Sequence, residues 1–451
     1  MRTFLGALAL AAHASAGLGQ QATGTTATGA TAPIIGPECA LAQSAAGARP
    51  DGPLCLSRAG AIAGALIANP QLQVAGAVAQ QARAGKVMGA ALPDPVFGAE
   101  WDNSKGPFGL GGHDSKVVGA SITIPFVNKF RLNSRIGTAG IRQSESDSVT
   151  VRQAIAAQTS QTYDALLAAL RHQANLRQAD SLAVEFLART QSRFEAGTVA
   201  RLDVVNAQVG VAQARNDLMA NEPDIANARA SLNRLLGRPL GAPLVTADTL
   251  MVPETLPGID ALEAAALHQR PELRSLQHQR DGARAATTLS REFWLPDLTI
   301  GIAKDYDAAP TPGYLTTAIS FPIPILYRNH SKGEIALAKS REDELAASYR
   351  DLTAAVSEEV RQSYAAAATA QRQAVFIRDE LLPAARQAYR IAAASYALGG
   401  SSALEVNAAR VALVAAESQY TDALAASNTA RADLERAVAS PLATFGTGVS
   451  Q

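Results

Sequence analysis

Apolar side chains recur every seven residues along two stretches of the chain. The large members of this series are Val204, Val211, Leu218, Ile225 and Leu232 in the first stretch, and Val406, Leu413, Tyr420, Ser427 and Leu434 in the second. Three residues after each stands a mostly small side chain: Ala207, Ala214, Asn221, Ala228 and Leu235, then Ala409, Ala416, Ala423, Ala430 and Ala437. A seven-residue repeat of large and small side chains is typical of a coiled-coil seam.

A long helical segment precedes each seam. The segments 135–194 and 332–396 are each about 60 residues long, and the second has an apolar stripe at helical spacing. That stripe is Leu345, Tyr349, Leu352, Val356, Val360 and Tyr364. Because Gly197 and Gly399 stand where the chain must reverse, each half is predicted to form an antiparallel helical hairpin. Pro223 interrupts the first seam, and a kink or short break is expected there.

Short strands are predicted before each hairpin, at about 96–100 and 117–124 and again at about 298–303 and 314–319. Ser121-Ile122-Thr123-Ile124 alternates polar and apolar residues, which favours a strand with two different faces. The segments between paired strands are rich in Gly, Pro and Asp and are expected to be loops. Prolines at Pro125, Pro322 and Pro324 are expected to end the strands. Helices at 57–91 and 259–293, each interrupted by a proline, precede the strands.

The two halves of the chain resemble each other at an offset of about 202 residues. Asn69-Pro70-Gln71-Leu72 matches Arg270-Pro271-Glu272-Leu273, and Leu92-Pro93-Asp94 matches Leu295-Pro296-Asp297. We therefore predict two structural repeats. The first is 56–255, with strands at about 96–124 and a hairpin at about 131–236. The second is 256–441, with strands at about 298–319 and a hairpin at about 328–440, followed by a C-terminal tail at 442–451.

The N-terminus is typical of an export signal. Arg2, the apolar run 4–12 and the small residues Ala14-Ser15-Ala16 predict a signal peptide over 1–16. An N-terminal extension, 17–55, contains both cysteines. Cys39 and Cys55 could form a disulfide in an oxidising compartment, and two free thiols are the alternative.

Composition narrows the function classes. The chain has 40 basic and 40 acidic residues, so its charge balance does not suggest a nucleic-acid partner. Its aromatic content of 5% agrees with long alanine-rich helices rather than one large globular core. We find no nucleotide-binding loop or nucleophile elbow, and the six histidines are scattered. The sequence therefore predicts that the protein is not an enzyme and has no cofactor and no resident metal site.

The order of these features resembles the outer-membrane efflux protein family typified by TolC, over about 56–441. The residues that carry the resemblance are Asn69-Pro70-Gln71-Leu72, Leu92-Pro93-Asp94, Phe194-Glu195-Ala196-Gly197-Thr198-Val199, Leu202-Asp203-Val204 and Leu235-Leu236-Gly237-Arg238-Pro239. The resemblance implies an α+β membrane protein. Its trimeric 12-stranded transmembrane β-barrel would be continued by a long periplasmic α-helical coiled-coil barrel, with two structural repeats per protomer.

The resemblance also implies a function, which is an outer-membrane exit duct of a tripartite efflux pump with a large periplasmic portion. The expected partners are a homotrimer, a periplasmic adaptor protein, an inner-membrane pump of the resistance-nodulation-division type and outer-membrane lipid. A periplasmic coiled-coil adaptor protein is the competing class, because adaptors also contain helical hairpins.

The expected cargo depends on finer motifs. Leu92-Pro93-Asp94-Pro95-Val96, Ile124-Pro125-Phe126 with Lys129, and Ile323-Pro324-Ile325 with Arg328-Asn329 look like the CzcC-like heavy-metal efflux group. Passive export of heavy-metal cations is therefore one expectation. Multidrug or organic-compound efflux and type I secretion are the alternatives.

Site residues follow from the same resemblance. The hairpin tips, Gly197, Thr198 and Val199 with Gly399 and Gly400, are expected to dock the adaptor, and chain reversal alone is the alternative role of the glycines. Asp203, Glu405 and Tyr396 are expected at the pore constriction, where three copies of Glu405 would form a carboxylate ring that favours cations. In the family, a closing contact joins the positions of Asp203 and Tyr396 with an arginine near the second tip. Ser401 stands here where that arginine would be, and the family's second acidic position is Ala408. The alternative is that both acids only solvate the flank of the seam.

Overall fold

The structure is a computed structural model that describes residues 54–102, 115–253, 255–292, 295–307, 313–323 and 328–445. The predicted signal peptide, Cys39, Pro324 and the end of the tail lie outside the described residues.

Five helices form the first half: α1 Arg58–Ala68, α2 Pro70–Gly89, α3 Val127–Glu195, α4 Arg201–Ala220 and α5 Glu222–Leu235. Polar residues cap the first two. The Ser57 hydroxyl accepts a hydrogen bond from the Gly60 amide at 3.1 Å, and the Asn69 side chain accepts one from Gln71 at 2.9 Å. Pro70 then opens α2, which confirms the predicted interruption.

The helix α3 dominates the first half. It has 69 residues and is about 100 Å long at 1.5 Å per residue. It begins eight residues before the predicted start of the long helical segment, directly after the sheet.

The second half repeats this order with α6 Ile259–Gln269, α7 Pro271–Arg291, α8 Arg328–Phe376, α9 Leu382–Ala397 and α10 Ala403–Val438. The long helical segment predicted over 332–396 is helical throughout, but a π-helical turn that the sequence pattern did not indicate, Ile377–Leu381, separates α8 from α9. Pro383 explains the turn. It has no amide hydrogen and its ring would clash with the carbonyl one turn earlier, so one extra residue widens the helix.

The predicted break in the first hairpin is present next to Pro223. Helix α4 ends at Ala220 and α5 begins at Glu222. Asn221 lies buried between them, and its side-chain amide donates to the carbonyl of Ala169 in α3 at 3.1 Å. This hydrogen bond anchors the break to the outgoing helix.

Two separate sheets lie within the described residues. Strands β1 Leu54–Leu56 and β4 Leu244–Thr246 pair in parallel, a short pairing that the sequence pattern did not predict. Strands β2 Val96–Asp102, β3 Ser115–Ile124, β5 Leu298–Asp307 and β6 Leu315–Ser320 form an antiparallel sheet in the order β2-β3-β5-β6. Three of these four strands extend into the segments predicted as loops, since Lys304 and Asp305 continue the pairing with β3.

The four-stranded sheet has two different faces. Register places Ala120 and Ile122 opposite Ile302 and Ile300, and Ile300 opposite Ile319, so that apolar side chains line one face. The other face carries small and polar residues. There the Thr123 and Thr299 hydroxyls lie 2.9 Å apart, and Gly301 pairs with Ala318. The apolar face is open, with Phe97 79% and Ile319 71% exposed.

The predicted seams form the helical core. Val211, Leu232, Leu413 and Leu434 are buried, whereas Leu218 and Tyr420 are half-buried. One cluster centred on Tyr163, Leu166, Leu232 and Leu424 joins the two hairpins, and another surrounds Val356, Val360, Leu262 and Leu434.

None of the described helices is by itself long and apolar enough to cross a membrane. The pair α1 and α2, bent by 43°, meets the length and composition requirement only when both are taken together.

Candidate functional site at the hairpin tips

Glycine closes both hairpins in a left-handed backbone conformation. Gly197 has φ +72° and Gly399 has φ +83°, values that residues with a Cβ rarely adopt. The amides that follow bond back to the ended helices: Thr198 donates to the Arg193 carbonyl, and Gly400 to the Ser395 carbonyl, both at 2.9 Å. The predicted chain reversals at these glycines are confirmed.

The two acids predicted at the constriction occupy the third position of their helices. The Glu405 carboxylate accepts a hydrogen bond from the Ser402 amide at 2.9 Å, and the Ser402 hydroxyl accepts one from the Glu405 amide at 3.2 Å. Asp203 accepts the Ala200 amide at 3.2 Å. Carboxylates are stabilised at helix N-termini, so both acids have a capping role. The spacing Ser402-x-x-Glu405 is the sequence signal that predicts such a cap.

Tyr396 lies inside the tip rather than on its surface, with 2% of the residue exposed. Its ring centroid is 5.6 Å from that of Phe186, and its hydroxyl lies 3.4 Å from the Thr190 hydroxyl. Ala207, Ala403 and Val406 complete this cluster. Residues from both hairpins therefore share one small core at the tip.

Arg193 of the first hairpin contacts both the ring and the backbone carbonyl of Tyr396 in the second. Its guanidinium lies 4.4 Å from the ring centroid and donates to the Tyr396 carbonyl at 2.5 Å. Its Nε also donates to the Thr198 hydroxyl at 3.3 Å. Arg193 was not predicted at this site, since the family resemblance indicates an arginine at the position of Ser401 and no local pattern links Arg193 to Tyr396 in the other hairpin. Within one chain, the described hydrogen bond of the Tyr396 hydroxyl is to Thr190 and not to Asp203.

Large apolar side chains surround the two turns. Leu202 is 66%, Leu398 is 90% and Leu404 is 76% exposed. Thr198, Gly399 and Gly400 are also exposed, and Val199 is half-buried. The predicted docking residues therefore lie on an accessible surface with an apolar rim that the sequence pattern did not indicate.

The remaining candidates have structural partners or lie apart from the tips. Lys129 pairs with Asp297 at 2.8 Å where the sheet meets α3. Cys55 lies in β1 and is not free, whereas Cys39 is outside the described residues, so their pairing stays a prediction. Within the part of the chain that the structure describes, no group of three or more His, Cys, Asp or Glu residues is arranged to hold a metal ion.

Comparison with known proteins gives a family match in both halves. The family model described as outer membrane efflux protein matches residues 61–238 and 262–440. The pyoverdine export outer membrane protein OpmQ of Pseudomonas aeruginosa is 25% identical over 313 residues, which span 67% of this chain and 65% of that protein. The cobalt-zinc-cadmium resistance protein CzcC of Cupriavidus metallidurans is 23% identical over 416 residues, which span 89% of this chain and 96% of CzcC.

Solved structures share the fold. CusC aligns with a TM-score of 0.73 at 20% identity, covering 84% of this chain and 91% of its own. The Campylobacter jejuni CmeC outer membrane channel gives 0.72 at 19% identity, with coverage of 84% and 85%. The outer membrane protein VceC of Vibrio cholerae gives 0.71 at 16% identity, with coverage of 85% and 96%.

Proposed function

The chain belongs to the outer membrane efflux protein family, and on this premise we propose that it is the outer-membrane exit duct of a tripartite efflux pump. The observation that carries the proposal is the combination, in one chain, of a four-stranded sheet with one apolar face and two long helical hairpins. The presence of one strand pair in each repeat, joined in a single sheet, disfavours the competing class of a periplasmic coiled-coil adaptor.

A barrel shared by three protomers would satisfy the sheet. The outer strands β2 and β6 have no pairing partner on their free sides among the described residues, and open edges are not viable in lipid. Three copies of four strands would close a twelve-stranded barrel. Ile300, Ile302 and Ile319 would then face lipid, and Ser121, Thr123 and Thr299 would face water.

Neighbouring copies would also cover exposed apolar side chains on both hairpins, toward the tips. Val209 is 61%, Ile391 is 61% and Val411 is 52% exposed in a single chain. Burying such side chains against neighbours is favourable by about 25 cal/mol per Å² of apolar area. These exposed positions support a periplasmic coiled-coil barrel built from two repeats of each protomer.

We propose that Glu405 and Asp203 lie at the periplasmic constriction, with Tyr396 holding the two tips together. Glu405→Gln is a sharp test, because glutamine can still accept the Ser402 amide but removes the charge. In planar bilayers, the variant is expected to lose cation selectivity and block by multivalent cations. Glu195→Gln, an exposed acid at the end of α3, is the matched control. Equal cation selectivity in the native protein and the Glu405→Gln variant would show that Glu405 does not lie at the constriction.

The adaptor is proposed to dock on the tips, at Gly197, Thr198, Val199, Gly399 and Gly400. Substituting Gly399 would strain the turn, so Leu398→Ser is the cleaner test of the docking surface. It should weaken adaptor co-purification by about tenfold, as expected for loss of a well-buried interface side chain. Leu337→Ser, on an exposed site of α8, should leave co-purification unchanged. Equal loss in both variants would argue against docking at the tips.

The proposed cargo is heavy-metal cations, delivered by an inner-membrane pump of the resistance-nodulation-division type. The match that spans 96% of CzcC supports this cargo. Export of an organic compound is the second candidate, favoured by the match to the pyoverdine export protein. A deletion strain should become sensitive to cobalt, zinc and cadmium if metals are the cargo. Unchanged metal resistance with loss of siderophore-type export would favour the second candidate.

A further inference from the structure

A cavity of about 420 Å³ lies between α3 and α7, toward the ends of these helices that adjoin the four-stranded sheet. Arg135 and Arg142 line it from α3, and His278, Asp281 and Arg284 line it from α7. Its floor is apolar, formed by buried leucine and alanine side chains. The cavity lies far along α3 from the hairpin tips, and the proposed duct function assigns it no role.

The three guanidinium groups in this cavity make no hydrogen bond with any described residue. Arg284 has only long ion pairs, at 3.7 Å to Asp281 and 3.8 Å to Glu342. The side chains of Arg135 and Arg142 have neither an ion pair nor a hydrogen bond within the described part of the chain. All three arginines are exposed, so water can accept hydrogen bonds from them in the absence of a ligand. Each guanidinium carries five N–H donors, and no acceptor on the described chain competes with a ligand for those donors at hydrogen-bond distance.

Two further observations point to an anion. Three arginines face the cavity against the single carboxylate that lines it, which leaves an excess of positive charge. His278 Nδ1 is buried and has no hydrogen-bond partner among the described residues. A buried polar nitrogen without a partner is costly, and a bound ligand would offset that cost.

We propose that this cavity binds a phosphate group. Arginine recognises phosphate through paired N–H donors, and a phosphate has enough acceptor oxygens to bond with several guanidiniums at once. Arg135 and Arg142 are separated by about 10 Å along α3, at 1.5 Å per residue. Arg284 lines the cavity from the opposite helix, so donors from two helices are available to a ligand.

Two sources could supply the phosphate. Arg135 lies roughly 12 Å along the helix from Val127, where α3 leaves the sheet, at 1.5 Å per residue. If the sheet spans the hydrocarbon layer, the headgroup layer extends about 5 to 8 Å beyond it, which leaves about 4 to 7 Å to Arg135 along the helix axis. The long Arg135 side chain would have to extend toward the membrane to contact a phospholipid headgroup of the periplasmic leaflet. A soluble phosphate reaches the cavity from the periplasm without any condition on the sheet.

The test uses the purified full-length protein in two arms. The first measures inorganic phosphate binding by calorimetry in detergent, and the second measures lipid retention by native mass spectrometry from nanodiscs with anionic phosphatidylglycerol. The combined Arg135→Gln, Arg142→Gln and Arg284→Gln variant should lose at least about tenfold in affinity in one arm, as charge-assisted hydrogen bonds predict. Arg177→Gln, an exposed arginine farther along α3, is the matched control and should bind as the native protein does.

Each result of the two arms decides the proposal. Phosphate binding that the triple variant loses supports a soluble ligand, and lipid retention that it loses supports a headgroup. The corresponding triple lysine variant, which keeps the charge, should recover part of the binding and shows that the fold is intact. The proposal is overturned if neither ligand binds, or if the triple glutamine variant binds as well as the native protein. It is also overturned if that variant only weakens self-assembly, since a carboxylate from a second copy would then be the occupant.

Discussion

Asp164 is a buried carboxyl at the middle of the molecule, with 1% of the residue exposed. It forms an ion pair with Arg58, whose Nη2 also donates to Asn428 in α10 at 3.1 Å. The neighbouring Tyr163 hydroxyl donates to the Leu56 carbonyl at 2.8 Å and lies 3.1 Å from Asp248. This network connects the start of α1 and the end of β1 with α3 of the first hairpin and α10 of the second. It therefore links the two hairpins to each other at the middle of the molecule.

Burial raises the pKa of Asp164 to about 6, although Arg58 acts in the opposite direction. The native state therefore holds a proton more strongly than the unfolded chain between about pH 4 and pH 6. The stability from this group is present below about pH 4 and is lost as the pH rises through 6, by about 2 to 3 kcal/mol. Asp164→Asn should remove this contribution.

Denaturant unfolding of the native protein and of Asp164→Asn at pH 4 and pH 7 measures the effect. The stability of the native protein relative to the variant should fall as the pH rises. A difference between the two proteins that is constant over this range would show that Asp164 does not titrate there.

Arg193 is expected to hold the two tips together. Its cation–π contact and its hydrogen bond to the Tyr396 carbonyl should together contribute about 1 to 3 kcal/mol. Arg193→Gln should therefore speed amide hydrogen exchange in both tips by about tenfold or more. Arg189→Gln removes an exposed ion pair with Glu185 in the same helix and a charge near Tyr389, but no hydrogen bond to the second tip, and it should leave the exchange rates of the second tip unchanged. Equal protection of the tip amides from exchange in both variants would show that the Arg193–Tyr396 contacts do not hold the tips together.

At the scale of elements, the two hairpins carry helix defects in different places. The first hairpin breaks in its returning helix at Asn221 and Pro223, and the second widens in its outgoing helix before Pro383. Arg171, two residues beyond the carbonyl that Asn221 contacts, stacks on Tyr420 of α10 at 5.0 Å. The break in the first hairpin therefore lies close to the contact between α3 and α10.

The break at Pro223 should depend on Asn221 more than on the proline. Pro223→Ala is expected to change the free energy of unfolding by less than about 1 kcal/mol, because a proline at the start of a helix loses no hydrogen bond. Asn221→Ala should destabilise by about 1 to 3 kcal/mol, because it leaves the buried Ala169 carbonyl without that partner. Thermal unfolding of the two variants under identical conditions gives the comparison. A larger loss from Pro223→Ala would mean that the proline itself maintains the break.

Much of this arrangement follows from local sequence signals, and the remainder depends on contacts between distant residues. The seam with its seven-residue repeat, the chain reversals at glycine and the break at Pro223 each depend on a few residues close in sequence, and each was predicted. The parallel pairing of Leu54 to Leu56 with Leu244 to Thr246 joins segments far apart in sequence, so no local pattern indicates it. Arg193 was missed for the same reason, since its partner Tyr396 lies in the other hairpin.

At the scale of the whole molecule, a single chain leaves two kinds of surface incomplete. Among the described residues, the two outer strands of the sheet have no partners on their free sides. Both hairpins also expose valine and isoleucine side chains toward their tips. The proposed assembly of three copies would cover both surfaces. The duct proposed above depends on that assembly, because four strands cannot enclose a pore.

The mass of the protein extracted from the outer-membrane fraction in mild detergent tests this claim most directly. Native mass spectrometry should give a complex of three copies, and crosslinking before extraction should give the same number. A stable single-chain species extracted from that fraction, with no three-copy complex, would contradict the account of the protein as an exit duct.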